Sequence, residues 1–310
     1  MKFLKPKFWD QQYLTIQSVI LYPFTFILDL KKIFNFFFLD SKKFSKIKTI
    51  CVGNIYLGGT GKTPLVDYLG INLRKKFRTV IIKKNYSDQL DEKGLLEINN
   101  SVLFMKSRLS SLNIAIKKKF ELAIFDDGLQ DKSIRYDLKI VCFDSFILAG
   151  NQLRLPSGPL RESLDNLKKY DVVFFKGRCR NQQFLKKIKR INPNIDIFNG
   201  DYLCTNFKKF KKNFYLAFSG IGNPNSFKDT LKKYKIKFEL HKVFPDHYNY
   251  SKFDISNIRK IAKSKNLKIL TTEKDYYRIP KKFRKNIHFL KMKFKVKNSK
   301  KFDGFIKNYL

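Results

Sequence analysis

The sequence has little acidic charge and few of the residues that bind zinc or form disulfides. Asp and Glu number 26 against 65 Lys and Arg, which gives a formal net charge of +39, and only 3 histidines occur. The 4 cysteines, Cys51, Cys142, Cys179 and Cys204, form no CxxC pair. This scarcity excludes a zinc module built from clustered cysteines and histidines. It also predicts reduced cysteines in a cytosolic protein.

The excess of basic residues has two interpretations. It predicts an anionic partner, such as nucleic acid, a nucleotide or an acidic membrane. Alternatively, it reflects an AT-rich genome, because Lys, Ile, Asn, Phe and Tyr are abundant and the lysines are scattered along the chain. The chain has 310 residues, of which 43% are hydrophobic, so it has enough apolar material to fold as one large domain or two ordinary ones.

An apolar segment lies near the N-terminus between basic residues. The segment YLTIQSVILYPFTFILDL (13–30) contains Gln17, Pro23 and Asp29, and it is slightly shorter than the roughly 20 apolar residues of a membrane-spanning helix. No small-residue cleavage site follows, so we do not expect a signal peptide. The flanking lysines favour a helix at the membrane interface, where they meet anionic headgroups. A buried helix of the first domain and a true membrane span are the alternatives.

Short apolar runs alternate with helical patterns along most of the chain. The first runs are KIKTICVGNIY (46–56), RTVIIKK (78–84), FELAIFDDG (120–128), LKIVCFD (138–144) and YDVVFFKG (170–177). This alternation predicts an α/β fold with a mostly parallel sheet flanked by helices on both faces. A helix is predicted over 102–118. We predict an N-terminal membrane-interface helix region at 1–45, a core at 46–207 and a smaller C-terminal α/β domain at 208–310.

A glycine-rich loop lies between the first predicted strand and the following helix, within VGNIYLGGTGKTPLVDYL (52–69). Glycines let backbone N–H groups surround phosphate oxygens, and the N-terminus of the next helix adds partial positive charge. The motif predicts a P-loop in which Lys62 reaches the β- and γ-phosphates of ATP and Thr63 ligates Mg²⁺. The predicted nucleotide-binding residues are Tyr56, Leu57, Gly58, Gly59, Thr60, Gly61, Lys62 and Thr63. Tyr56 stands where the usual pattern has a glycine.

Two carboxylates, Asp126 and Asp127, end the strand predicted at 120–128. A carboxylate at the tip of a strand beside a P-loop is the usual second contact of Mg²⁺. Adjacent carboxylates are unfavourable neighbours unless a cation lies there. The alternative is an aspartate that caps the turn at Gly128. Further along, TTEKD (271–275) predicts either a phosphate or adenine contact or the start of a helix with a Thr N-cap.

Several segments, in this order, resemble the tetraacyldisaccharide 4'-kinases of lipid A biosynthesis. They are KPKFWD (5–10), VGNIYLGGTGKTP (52–64), DDGLQ (126–130), LPSGPLRE (155–162), SGIGNPNSF (219–227), FPDHYNY (244–250) and TTEKD (271–275). In this family the motif GGTGKT without a leading glycine is the normal form, which accounts for Tyr56. The resemblance implies a kinase that uses ATP and Mg²⁺ to phosphorylate the 4'-hydroxyl of an anionic lipid disaccharide. It also implies a location at the cytoplasmic face of the bacterial inner membrane, either peripheral or anchored by the N-terminus.

The resemblance further implies roles for individual residues. The family carries an Asp-Glu pair whose Asp is the proposed catalytic base, and Asp91-Glu92 is the best match in a shortened loop. Asp91 would accept the proton of the sugar hydroxyl with His247 paired to it, and Asp127 or Asp246 would be the next choice of base. Taken alone, His247 equally fits a surface or packing role. The arginines expected to contact substrate or nucleotide phosphates are Arg108, Arg154 and Arg161.

Two other functions are compatible with parts of the sequence. A nucleic-acid-stimulated P-loop ATPase would account for the basic charge and the aromatics, but no RNA-binding or helicase motif accompanies them. A non-catalytic membrane-surface protein with a relic P-loop is the second, although the intact Lys62, Thr63 and Asp126 argue against it. We therefore expect a membrane surface and a lipid substrate as partners, and we expect neither nucleic acid nor an obligate protein partner.

Overall fold

The computed structural model describes residues 6–11, 13–34, 42–84, 96–97, 99–221, 224–245 and 248–310. The strands are β1 (Lys48–Gly53), β2 (Thr79–Lys84), β3 (Ser101–Met105), β4 (Leu122–Asp126), β5 (Leu138–Asp144), β6 (Val172–Lys176), β7 (Asp196–Cys204), β8 (Phe214–Ser219), β9 (Lys237–Val243), β10 (Lys268–Thr272), β11 (Ile287–Leu290) and β12 (Met292–Val296). The α-helices are α1 (Ile16–Phe34), α2 (Lys62–Leu73), α3 (Arg108–Lys117), α4 (Gln182–Ile191), α5 (Pro224–Lys233), α6 (Lys252–Ser264), α7 (Glu273–Arg278) and α8 (Ser299–Lys307).

The chain forms two compact units, and the first contains an eight-stranded sheet. The strand order is β12-β7-β6-β5-β1-β4-β2-β3. Every neighbouring pair from β7 to β3 is parallel. The prediction of a mostly parallel sheet is therefore confirmed. Because β1 and β4 are parallel neighbours, the loop after β1 and the turn after β4 lie side by side at the carboxyl ends of the strands.

Helices cover both faces of the large sheet, as predicted. Successive strand residues point to opposite faces, so Ile124 and Phe125 of β4 enter different cores. Ile124 belongs to a core that also contains Leu65 and Leu69 of α2 and Phe302 of α8. Phe125 belongs to a second core, which contains apolar side chains of α3, and α4 contributes to a third core.

The structure differs from the predicted helix over 102–118. Residues Ser101–Met105 form the edge strand β3, and α3 begins only at Arg108. Ser107 caps α3, since its side chain accepts a hydrogen bond from the N–H of Ser110. The segment SVLFM is apolar and partly β-branched, and pairing it with β2 satisfies backbone groups that an open edge would leave unpaired.

The division between the units also differs from the predicted boundary between 207 and 208. The units are Met1–Asp201 with Phe294–Leu310, and Tyr202–Lys293. The last residues return to the first unit because β12 extends its sheet beside β7 and α8 buries Phe302 and Ile306 in its core. Of residues 294–310 only Val296, Phe302 and Ile306 are buried, and their spacing in the sequence does not show which sheet they join.

The second unit has a four-stranded sheet in the order β11-β10-β8-β9, with all three pairings parallel. Its helices are α5, α6 and α7. The segment TTEKD ends β10 and begins α7. Thr272 is the N-cap, because its hydroxyl oxygen accepts from the N–H of Asp275 at 3.1 Å. Of the two alternatives for this segment, the helix start is therefore present.

Helix α1, which belongs to the first unit, packs on that unit with polar side chains and exposes apolar ones to solvent. Ser18 and Thr25, two turns apart, are buried. Asn151 donates to the Ser18 hydroxyl at 3.1 Å, and Thr25 shares a hydrogen bond with Ser157 at 2.8 Å. Among residues 16–26, the part of α1 whose side chains the structure describes, the apolar residues more than half exposed are Ile16, Val19, Ile20, Tyr22, Phe24 and Phe26. In the part of the chain that the structure describes, no helix combines the length and apolarity needed to span a bilayer.

Candidate functional site

The phosphate loop connects β1 to α2. Gly58 has φ 150° and Gly61 has φ 87°, a backbone region that favours glycine. Gly61 is also the N-cap of α2 and has no side chain that could accept from the first N–H groups of the helix. Those N–H groups and the helix dipole are therefore available to phosphate oxygens.

Asn54 holds the phosphate loop in shape from inside. It is fully buried, and its Nδ2 donates to the carbonyl oxygens of Tyr56 at 2.5 Å and Gly58 at 3.0 Å. The backbone carbonyl oxygen of Asn54 accepts from Gln130 Nε2 at 2.9 Å. These bonds within the protein fix the loop backbone without any ligand, which is the preorganisation that a binding site requires.

Tyr56 contributes its side chain to the protein interior. It is only 2% exposed, and its hydroxyl donates to the carboxylate of Asp10. Burial, reinforced by this carboxylate, raises the pKa of Tyr56, so the hydroxyl stays protonated as a donor. The next residue, Leu57, donates its N–H to the carbonyl oxygen of Pro159 at 2.8 Å. A tyrosine at the usual glycine position thus ties the phosphate loop to the N-terminal segment.

Asp126, at the end of β4, has two oxygens in different surroundings. Oδ2 accepts from Lys83 Nζ at 2.8 Å and from the Thr63 hydroxyl at 3.2 Å. Oδ1 is buried and has no hydrogen-bond partner within the described residues. A buried carboxylate oxygen without a partner is costly, and hard oxygen ligands suit Mg²⁺. Thr63 and Asp126 therefore fit the predicted Mg²⁺ site.

Asp127 is surrounded by cationic side chains. Arg161 Nη1 lies 3.1 Å from both of its carboxylate oxygens, and Lys62 Nζ lies 3.8 Å from Oδ1. Arg108 donates to the backbone carbonyl of Asp127 and forms an ion pair with Asp131 at 3.3 Å. These contacts supply the positive charge that adjacent carboxylates require.

Two of the three predicted arginines lie close to the predicted carboxylates. Arg108 and Arg161 both contact Asp127. Arg154 lies on the segment that carries Arg161, where its carbonyl oxygen accepts from the N–H of Gly158 at 2.9 Å. Asp91, Asp246 and His247 lie outside the described residues, so the proposed pairing of Asp91 with His247 stays a prediction.

Two lysines beside the phosphate loop were missed by motif analysis. Lys83 contacts Asp126, as described. Lys176, at the end of β6, packs its stem on the loop, since a Cβ added to Gly61 would lie 3.0 Å from the Lys176 Cβ. Its Nζ lies 3.2 Å from the Oδ2 of Asp144. A lysine inside an apolar strand run was the available signal, because buried lysines are almost always paired.

The cysteines take no part in the site. All four are free. Burial raises the pKa of the Cys51 and Cys142 thiols, which keeps them protonated and unreactive.

Comparison with known proteins gives consistent matches. Residues 17–99 and 91–310 match the family model described as tetraacyldisaccharide-1-P 4'-kinase. The tetraacyldisaccharide 4'-kinase of Pelagibacter ubique (strain HTCC1062) is 47% identical over 306 residues, which cover 97% of this chain and 96% of that protein. The enzyme of the same name from Rickettsia bellii (strain OSU 85-389) is 34% identical over 297 residues, 90% of each chain.

A solved structure shares the fold. The crystal structure of LpxK from Aquifex aeolicus in complex with ATP superposes with a TM-score of 0.70, covering 95% of this chain and 99% of that one. The sequence identity is 24%.

Proposed function

The chain belongs to the tetraacyldisaccharide 4'-kinase family, and from this premise we propose that it transfers the γ-phosphoryl group of ATP to the 4'-hydroxyl of a tetraacyldisaccharide 1-phosphate. The product is lipid IVA, on the route to lipid A. The observation that carries the proposal is the convergence of Lys62, Thr63, Asp126 and Arg161 beside one phosphate loop. An intact set of phosphoryl-transfer groups argues against a relic site.

Binding of ATP rests on the loop and on the start of α2. The N–H groups after Gly61 and the dipole of α2 attract the phosphates. Lys62 and Arg161 both approach Asp127, at 3.8 Å and 3.1 Å, so two cationic groups lie beside the loop that would hold the β- and γ-phosphates. Their positive charge would stabilise the charge on the transferred phosphoryl group and the leaving oxygen.

Thr63 and Asp126 would hold Mg²⁺. When bound, the cation neutralises charge on the β- and γ-phosphate oxygens. Of the two adjacent carboxylates, Asp126 is the better metal contact, because its Oδ1 is buried without a partner in the described residues. Both oxygens of Asp127 already contact Arg161. Asp127 is therefore better suited to orient Arg161 and Lys62.

Asp91 is the proposed base that accepts the proton of the 4'-hydroxyl, and His247 is the second residue proposed for this proton transfer. The motivation is the match of Asp91-Glu92 to the family's Asp-Glu pair. The substitution Asp91→Asn should abolish transfer and leave ATP binding intact. Near-normal turnover by this variant would assign the base to Asp127 or Asp246 instead.

The acylated substrate places the enzyme at a membrane, and α1 is the proposed contact. Its apolar residues are exposed while Ser18 and Thr25 are buried. A helix of a soluble domain normally has the opposite arrangement. The exposed apolar side of α1 fits the interface of an anionic inner membrane at its cytoplasmic face. The net charge of the chain, +39, favours the same surface. The helix bonds to Asn151 and Ser157, on the same segment as Arg161.

The direct test is a phosphoryl-transfer assay with purified protein, MgATP and tetraacyldisaccharide 1-phosphate in mixed micelles. The expected product carries phosphate at the 4' position, identified by mass spectrometry and by its resistance to mild acid, which removes the anomeric 1-phosphate but not a 4'-phosphate monoester. Lys62→Ala serves as the inactive control, which excludes a contaminating kinase. If folded protein that binds ATP forms no such product, the proposed function is wrong.

A further inference from the structure

Lys83 is a buried lysine inside the first unit. It is the penultimate residue of β2, it is 5% exposed, and its register partner in β4 is Asp126. Side chains alternate between the two faces of a strand, so Lys83 lies on the same face of the sheet as Ile81. Ile81 packs in the core that includes α2. An ammonium group at such a position is costly unless a carboxylate compensates it. Asp126 provides that carboxylate, with Nζ 2.8 Å from Oδ2.

The contact with Lys83 makes the two oxygens of Asp126 unequal. Oδ2 accepts from Lys83 and from Thr63, at 2.8 Å and 3.2 Å. Oδ1 is buried and unpartnered among the residues that the structure describes. Two donors on one oxygen fix the rotation of the carboxylate, so the other oxygen is the one left for a ligand.

Lys83 also changes the charge of the site before any ligand binds. Asp126 and Asp127 are adjacent, and each has its own protein cation. Lys83 lies beside Asp126 at 2.8 Å, and Arg161 lies beside Asp127 at 3.1 Å. Lys62 also lies 3.8 Å from Asp127, so the cations beside the two carboxylates outnumber them. A divalent cation arriving alone is repelled by the nearby ammonium and guanidinium groups, whereas one arriving with a triphosphate brings negative charge with it.

We propose that Lys83 is a positioning residue and a built-in counter-ion of Asp126. It holds Oδ2 so that Oδ1 is presented to the divalent cation. It also weakens binding of the cation in the absence of nucleotide, so that the cation enters together with ATP. The inference rests on the proposed assignment of Asp126 as the metal contact. Its test needs neither lipid nor phosphoryl transfer, so it can fail or succeed independently of the kinase assay.

The test measures binding of Mn²⁺ to nucleotide-free protein by electron paramagnetic resonance. The unmodified protein should bind weakly, and Lys83→Met should bind at least about tenfold more tightly, because a nearby positive charge is gone. Adding Asp126→Asn to Lys83→Met should abolish this gain. Lys118→Met removes an exposed lysine at the end of α3 and should change nothing.

Two further measurements protect the test against misfolding. Lys83→Gln removes the charge but keeps a hydrogen-bond donor, and it should show the same tighter binding if Lys83→Met does not fold. Thermal unfolding of each variant, without metal, shows whether a binding change reflects lost structure. The proposal is overturned if folded Lys83→Met or Lys83→Gln binds Mn²⁺ no more tightly than the unmodified protein. It is equally overturned if the gain persists after Asp126→Asn.

Discussion

Arg161 donates from Nη1 to both carboxylate oxygens of Asp127, at 3.1 Å each. Asp127 lies in the turn after β4, with its backbone at φ 64°. Arg161 lies on a different segment, and its N–H donates to the carbonyl oxygen of Ile55 in the phosphate loop at 2.6 Å. The backbone of Arg161 is therefore attached to the loop that holds the phosphates, and its side chain is oriented by Asp127.

Arg161→Lys should lower kcat/KM by about tenfold or more, because an ammonium keeps the charge but loses the planar donor pair that suits phosphate. Steady-state kinetics with MgATP and lipid in micelles measure the change. Arg180→Lys is the matched control, since Arg180 is exposed. Unchanged kinetics in Arg161→Lys would mean that Arg161 only neutralises Asp127.

Lys62→Ala should lower kcat by roughly 10²-fold or more, because removal of one charged group that stabilises the transition state costs about 3 kcal/mol. Stability should change little, since Lys62 reaches Asp127 only at 3.8 Å. Single-turnover rates and thermal unfolding measure the two effects. Lys76→Ala, at an exposed lysine after α2, should match the unmodified protein in both measurements. A Lys62→Ala enzyme with normal turnover would remove this lysine from the mechanism.

Gly61→Ala should weaken ATP binding by about tenfold, whereas Gly59→Ala should not. Gly61 has φ 87°, and a new Cβ would lie 3.0 Å from the Lys176 Cβ. A left-handed conformation costs a residue with a Cβ about 1–2 kcal/mol. If the free loop relaxes to relieve that cost, ATP must restore the original shape, which weakens binding by about tenfold. A Cβ on Gly59 would meet nothing within 4 Å. Calorimetric titration with a non-hydrolysable ATP analogue compares the two variants, and equal affinities would show that the loop tolerates the strain.

Features that depend on neighbouring residues were predictable from the sequence. The strand-loop-helix context of the phosphate loop is contained within residues 48–73, so glycine spacing and the apolar run are sufficient to identify it. The carboxylates at the end of β4 follow from the same logic. Pairing of Lys83 with Asp126 was not predictable, because it depends on the register of two strands whose residues are 43 positions apart.

Choices between alternative partners also required the structure. Residues 101–105 satisfy a helical and a strand pattern, and the open edge of β2 decides between them. The pattern of the last segment, 294–310, does not indicate which unit it joins, and in the structure β12 lies beside β7 in the first sheet. In both cases a distant strand supplies the determining contact.

The exposed side of α1 should bind membranes, and the double substitution Ile20→Asp with Phe24→Asp tests it. These residues are 64% and 55% exposed and four positions apart, so they share one face. Each apolar side chain contributes about 1.5–3 kcal/mol when buried, so binding to vesicles containing anionic lipid should fall more than tenfold. Phe253→Asp, at a residue 78% exposed in α6, should leave vesicle binding unchanged. Equal sedimentation of all three proteins with vesicles would assign membrane binding to another surface, and retained activity in micelles would show that the substitutions spare the catalytic groups.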